Sequence, residues 1–343
     1  MTLLEKELTR ILLTIKSIDK ETPLMMVDNA KDSKILIDLG ADVNAVSTSV
    51  EDYFYEFSVL SCAKDAEQAK VILDAGVDIN FQVNKMRNID LALFYAKDAE
   101  HTKVLLEAGA DPNALSRDSH ILMNVKNLDQ MKVLLKAGAN PNWVCPESKF
   151  STLMHKCYFG PFDPVFLTTL LDSGADPKHL DNTGNTHLMR LLNSYCNKDI
   201  NVSDMILILV KAGVDVNHVV INDYWVENSA LSLANNPEYV KLLIKLGAKV
   251  NNSVKGFGSE SFIKSFLQDS FEISKVLFEH GAYINSKRYN GITALHFAKT
   301  EEQVKFLIEN GADVNAKATD GTTSLTNADP KKRKLLIDAG AIE

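Results

Sequence analysis

The sequence predicts an all-α repeat protein, a solenoid, and three recurring signals predict it. The first is a Gly that closes a Leu/Ile-rich segment: Gly40, Gly76, Gly109, Gly138, Gly174, Gly213, Gly247, Gly281, Gly311 and Gly340, spaced 29 to 39 residues apart. A period of about 33 residues belongs to a stacked supersecondary unit rather than to two or three independent domains. The second is Asp-x-Asn just after the Gly in five copies, as at Asp42-Val43-Asn44 and Asp313-Val314-Asn315. The third is a Thr- or Ser-led start eighteen residues before most of those Gly: Thr22-Pro23-Leu24, Ser58-Val59-Leu60 and Ser229-Ala230-Leu231. The stretch 304–325, VKFLIENGADVNAKATDGTTSL, carries the end of one copy and the start of the next.

Each signal has a physical reason. The runs KILIDLG, KVLLEAG, KLLIKLG and KFLIENG read as helix ends, and the residue beyond a helix end often takes a left-handed conformation in which a Cβ is costly. Asp and Asn suit the turn that follows. A Thr or Ser at the start caps a first helix, and Pro23 fits the first turn of one. One such unit cannot bury its apolar face alone, so the unit must recur for a core to form.

The copy Thr293-Ala294-Leu295-His296-Phe297-Ala298 comes nearest to the pattern T-P-L-H-x-A, and with it the chain resembles the ankyrin-repeat family over about residues 21–343. The resemblance implies about ten helix–turn–helix units joined by β-hairpin fingers and stacked into a curved solenoid, the last unit serving as a C-terminal cap. Glycine usage agrees: ten of 16 Gly are the helix ends, and Gly184, Gly256, Gly258, Gly291 and Gly321 fall where fingers are expected. The chain also departs from the family. The copies starting at Thr22, Ser58, Leu91, His120, Ser229 and Thr293 run 18 residues to their Gly, about one helical turn short, with the loss expected in the first helix and its loop. Ser151 to Gly174 and Thr186 to Gly213 are longer, at 23 and 27 residues, and should interrupt the regularity in mid-chain. The hallmark His survives plainly only as His296.

Residues 1–20 read as a separate capping helix. Thr2-Leu3-Leu4-Glu5 is a capping box, and Leu4, Leu8, Ile11, Leu12 and Ile15 form one apolar stripe. Charges within that segment (Glu5, Lys6, Glu7, Arg10) exclude a signal peptide, and no run of 18 uncharged apolar residues exists to span a membrane. Four cysteines without a CxxC pair fit a reducing, cytoplasmic setting. The net charge of −8 argues against a general nucleic-acid binder and mildly favours a basic partner.

Candidate chemistry is sparse. A lysine stands six residues before the Gly in eight copies, and in six of them an acid follows four residues later, as in Lys34 and Asp38. Such a ladder reads as a solvated helix face with forward ion pairs. The basic run Pro330-Lys331-Lys332-Arg333-Lys334 resembles a nuclear-import signal but reads better as the charged start of a cap helix. His155 and Cys157, with Cys145 nearby, lack the flanking sequence of a nucleophilic site, and three irregular ligands do not make a zinc site. No P-loop, GxGxxG, HExxH or GxSxG occurs, so neither an enzyme, a cofactor nor a metal is expected.

The fingers carry large residues that a bare turn does not need. Tyr53, Tyr55, Phe81, Arg87, Trp143, Tyr224, Trp225, Phe257, Arg288 and Tyr289 all fall between an Asp-x-Asn position and the next helix start. Trp, Tyr and Arg dominate binding hot spots, and repeat solenoids bind along their concave faces. The function expected is therefore a non-enzymatic interaction scaffold, monomeric when free, that holds one protein partner on the finger face. An inhibitor or immunity-type protein and a host-directed effector are the alternatives within that class.

Overall fold

The computed structural model describes residues 21–48, 56–79, 92–116, 119–125, 127–194, 201–221, 227–253, 258–268, 270–326 and 328–342. The capping helix expected over 1–20 lies outside them. The chain divides into two compact units, Met1–Thr152 with Thr169–Ala175 and Leu153–Thr168 with Asp176–Glu343. The division falls in the long fifth copy.

The repeating element is a helix of nine residues. Ten occur among the described residues, from Ala30–Asp38 to Pro330–Asp338. Each ends at a Gly of the series with φ between 86° and 99°. That conformation lets the amides of Gly247 and Ala248 turn back onto the carbonyls of Ile244 and Leu243, both at 2.9 Å, which satisfies carbonyls the helix itself leaves open. At the other end Asn29, Asp65, Asp98, Asn127, Asn236 and Asp329 accept first-turn amides. These Asn and Asp cap the second helix in six of the copies, a role the sequence reading did not assign.

The first helices are short where the eighteen-residue spacing predicts a lost turn. Pro23–Met26, Ala92–Tyr95, Ile121–Asn124, Ala230–Leu233 and Ala294–Phe297 have four residues each. The first helices of the two long copies are longer: Thr152–Phe159 has eight residues and His187–Leu192 six. Ser58 and Ser229 cap as expected, accepting from Ser61 and Ser232 at 3.2 Å. Thr22 does not cap, and its buried hydroxyl has no partner. The difference lies three residues on, where Ser61, Ser232 and His296 offer a reciprocal polar group and the first copy has Met25.

Between copies, three antiparallel hairpins occur among the described residues. β1 (Val46–Thr48) pairs with β2 (Glu56–Ser58), β3 (Leu115–Ser116) with β4 (Ser119–His120), and β5 (Val219–Ile221) with β6 (Glu227–Ser229). Among the described residues helices dominate and strands are confined to these fingers.

In each unit the core is built on aliphatic residues four positions before each Gly. From Ile72 to Leu336, nine of them are at most 1% exposed. Polar joints lie beside this column. Asn217 donates to the carbonyl of Gly247 at 2.9 Å and accepts the amide of Lys249 at 2.8 Å. Asn251 does the same to Gly281 and Tyr283 at 2.8 and 3.0 Å, and Asn285 to Gly311 and Asp313 at 3.0 and 2.8 Å. In the first unit Asn113 joins Gly138 and Asn140 at 3.2 and 2.7 Å. A second joint comes from the third residue of the nine-residue helix. Gln68 reaches Val27 O, Gln130 reaches Ala96 O, and the buried amine of Lys332 reaches Ala298 O, at 2.8 to 2.9 Å.

The lysine ladder pairs differently from the spacing's prediction. Of its intrahelical ion pairs among the described residues, only Lys34–Asp38 runs forward, at 3.2 Å. Lys103, Lys132, Lys241 and Lys275 reach back three residues to Glu100, Asp129, Glu238 and Glu272, at 2.8 to 3.9 Å. Helical side chains lean toward the N-terminus, and acids in the first turn are favoured by the helix dipole. Lys therefore finds those acids first.

Replacing Asn251 by Ala removes two joint hydrogen bonds and should cost about 2 kcal/mol, measured as a lowered urea midpoint. Asn251→Asp keeps the acceptor and loses the donor, so its loss should fall between the wild type and the Ala variant.

Candidate partner-binding fingers

Of the ten finger residues singled out by sequence, Trp143, Arg288 and Tyr289 are described; Tyr53, Tyr55, Phe81, Arg87, Tyr224, Trp225 and Phe257 lie outside the described residues. The fingers that hold the three are built differently.

Trp143 belongs to a finger closed by the pairing of Val144 with Ser151 and by the amide of Thr152 on the Trp143 carbonyl at 3.2 Å. Its ring is half-buried and stacks on His120, with centroids 5.7 Å apart and planes 19° from parallel. His120 is fully buried; Nδ1 accepts the amide of Leu122, so Nε2 carries the proton and donates to Asn113 at 3.3 Å. Burial lowers this imidazole to about 4, against the opposing pull of Asp111. The indole thus covers a neutral histidine that braces an inter-copy joint, and the residue stabilises the fold whatever else it touches.

The finger over residues 286–293 is anchored on both sides. The amide of Arg288 donates to Ile292 O at 2.9 Å, and Gly291 turns between them at φ 78°. A Cβ on Gly291 would lie 3.0 Å from Ala318 Cα and Lys317 O, so the finger packs backbone to backbone against the next one. Arg288 points inward. Its guanidinium pairs with Glu260 and lies 5.3 Å from the centre of the Phe297 ring. Both side chains are about nine-tenths buried, at 12% and 10% exposure. Burial raises the Glu260 carboxyl above its usual range despite Arg288, and lowers the amine of Lys264, whose Nζ stands 3.4 Å from Asn228 Oδ1. Tyr289 points the other way, 46% exposed beside the exposed Lys287. One finger therefore splits the predicted pair: Arg288 holds the finger in place and Tyr289 presents a ring to solvent.

The sequence reading missed other exposed apolar residues. Tyr283 is 64% exposed two residues past Gly281, and Phe159 and Val165 stand exposed on either side of Gly160–Pro161 in the long fifth copy. The segment's aromatic and proline content was the available signal.

The groups weighed for catalysis are placed plainly. Cys157 is fully buried and burial holds its thiol far above the usual range, so it carries no thiolate near neutral pH. His155 is lowered to about 4 by burial, with Lys156 adding to the effect, and its ring packs on Phe159 at 4.8 Å. Pro330 opens the last helix as expected, and in its basic run Lys332 is buried while Lys331 stands 3.3 Å from Glu301. Among the described residues no helix is long and apolar enough to cross a membrane.

Residues 228–318 match the family model of ankyrin repeats in three copies. The chain carries ankyrin repeats. Two solved ankyrin structures are similar to it. The ankyrin repeat domain of human ASB11 shares 20% identity over 62% of this chain and 93% of its own, with a TM-score of 0.52. That of Bcl-3, a member of the IkappaB protein family, shares 21% identity over 63% of this chain and 95% of its own, with a TM-score of 0.47. None of the curated proteins matches the chain in sequence. The matched stretch contains the Asn251 and Asn285 joints and His296. In that copy Nδ1 of His296 accepts the amide of Thr293 at 3.2 Å, and Nε2 reaches Thr322 O at 3.4 Å in the next.

Two outcomes follow from these geometries. Arg288→Met should cost about 3 kcal/mol at pH 7, because it strands the Glu260 carboxylate in a buried site. The deficit should shrink toward pH 5 as Glu260 takes a proton, and urea titrations at the two pH values read the difference. His120 and His187 are fully buried and both lowered to about 4 from 6.5. The unfolded chain then binds protons that the folded one does not, so stability falls as pH drops from about 6.5 toward 4, by up to about 3 kcal/mol for each histidine. Denaturation midpoints flat between pH 7.5 and 5 would contradict this.

Proposed function

We propose that the chain is a non-enzymatic protein-binding module of ten ankyrin repeats that holds one protein partner along its finger side. Ankyrin repeats generally mediate protein–protein interaction, and the best support within this chain is the finger at 286–293. A buried ion pair and backbone packing fix it in place, and on it Tyr289 and Lys287 are left to solvent. A ring held on a rigid support loses little freedom on binding, which is what makes aromatic anchors effective. Tyr224 and Trp225 fall in the connection between β5 and β6, and Tyr53 and Tyr55 in that between β1 and β2, so the sequence places the same residue types on other fingers. The negative net charge and the acids of SVEDYFYEFS favour a partner with basic groups around an apolar centre.

The test is affinity capture from native lysate followed by titration of the purified partner. Tyr289→Ala and Tyr224→Ala/Trp225→Ala should each weaken binding by about 30-fold or more, the scale of a hot-spot loss. Lys103→Ala, on the nine-residue helices away from the fingers, should leave it unchanged. Affinity unmoved by all the finger variants would overturn the proposal.

A further inference from the structure

Two steps of the repeat differ in how the furrow between neighbouring second helices is filled. Counting back from the Gly of each copy, positions ten and three lie two helical turns apart and share a side. At the step from the eighth to the ninth copy they are Phe271 and Phe278, and they face Phe306 at position five of the next copy. The three rings close the furrow: Phe306 meets Phe271 and Phe278 edge to face, with centroids 5.4 Å apart in both pairs. At the step from the second to the third copy the same positions hold Ala66, Leu73 and Val104, and a cleft of about 410 Å³ stands open there. The rims match residue for residue. Glu67 and Asp74 stand where the eighth copy has Glu272 and Glu279, and Lys70 where it has Lys275. On the other side Glu100 and Glu107 stand where the ninth copy has Glu302 and Glu309. No other step along the chain has an acid at all four of these positions. Only the floor differs, three phenyl rings being reduced to a methyl, an isobutyl and an isopropyl group.

The closed step shows which chemistry suits such a rim. Lys275 lies between Glu272 and Glu302, at 3.2 and 3.3 Å, with its amine 4.4 Å from the centre of the Phe271 ring. A cation set over a ring and between carboxylates is attracted by both. At the open step Ala66 offers no ring, and Glu100 takes Lys103 of its own helix at 3.4 Å. Leu73 and Val104 are half-buried on the floor, and the four acids are exposed around it. We infer that this cleft is a second binding site, for a partner segment that presents an aromatic side chain flanked by Lys or Arg. The ring packs on Leu73 and Val104 in the place that the eighth and ninth copies fill for themselves, and the cations meet the acid rim. The site uses no finger residue, so it does not depend on the finger surface proposed above.

The test is fluorescence anisotropy of the full chain with a labelled helical peptide that carries two Phe, three residues apart, among lysines. The wild type should bind it saturably, and more weakly as salt is raised. Ala66→Phe/Val104→Phe, which fills the cleft as the eighth and ninth copies fill theirs, should weaken binding by about tenfold or more, the scale of one buried ring. A urea midpoint checks that this variant folds. Glu67→Lys/Glu100→Lys changes only exposed positions and should weaken binding as much, whereas Tyr289→Ala should bind like the wild type. A version of the peptide with Ala for both Phe should not bind. Absence of saturable binding by the wild type, or equal binding by the Glu67→Lys/Glu100→Lys variant, would overturn the inference. Loss of binding in Tyr289→Ala would overturn it in favour of the fingers. Self-association of the wild type in sedimentation velocity, absent from the filled variant, would overturn it in favour of a second copy of the chain.

Discussion

The Asn four residues beyond a helix-ending Gly is the joint on which successive copies depend. A helix that ends in a left-handed residue leaves the Gly carbonyl and the amide two residues later facing outward, and neither has a partner within its own copy. A carboxamide is the one short side chain with a donor and an acceptor side by side, so it can satisfy both. Asp lacks the donor. The preceding Asp completes the device by accepting the Asn amide, as Asp313 does from Asn315 at 2.9 Å, which holds the chain where the carboxamide can reach across. Packing of the aliphatic column supplies the larger driving force, but it is non-directional. The joint gives each step its register.

Much of this is legible in the sequence, and what is not has a definite cause. Gly and Asp-x-Asn recur because the backbone demands them, so the period and the helix ends stand out. Asp-x-Asn reads as a local turn, which is half of its work; the partner lies some 30 residues away and leaves no local trace. The third residue of the nine-residue helix is invisible for another reason. Gln68, Gln130 and Lys332 share a place without sharing chemistry, since a donor of any kind with enough reach can serve a carbonyl. The lysine ladder shows the reverse error, a correct pattern with the wrong partners, because spacing alone ignores the tilt of side chains toward the helix N-terminus.

The finger residues expose a deeper limit on sequence reading. Trp143 and Tyr289 look alike in sequence, each a large ring between a turn and a helix start. One covers a neutral histidine inside the stack and the other faces water, and only the fold distinguishes them. The same holds for Arg288, which resembles a hot-spot cation and is instead the strut that fixes its own finger to Glu260. A charge pair buried to that degree adds little net stability over an apolar pair, because desolvation offsets the attraction. Its effect is geometric.

That division of labour bears on what a partner can read. The joints engage backbone carbonyls and amides, which every sequence offers, and the column asks only for aliphatic volume. Positions such as Lys287 and Tyr289 are used by neither, so changes there leave stacking untouched. A surface built from such positions is free to fit a partner without cost to the fold that carries it. Recognition in this chain is therefore best sought where the repeat pattern has nothing to say.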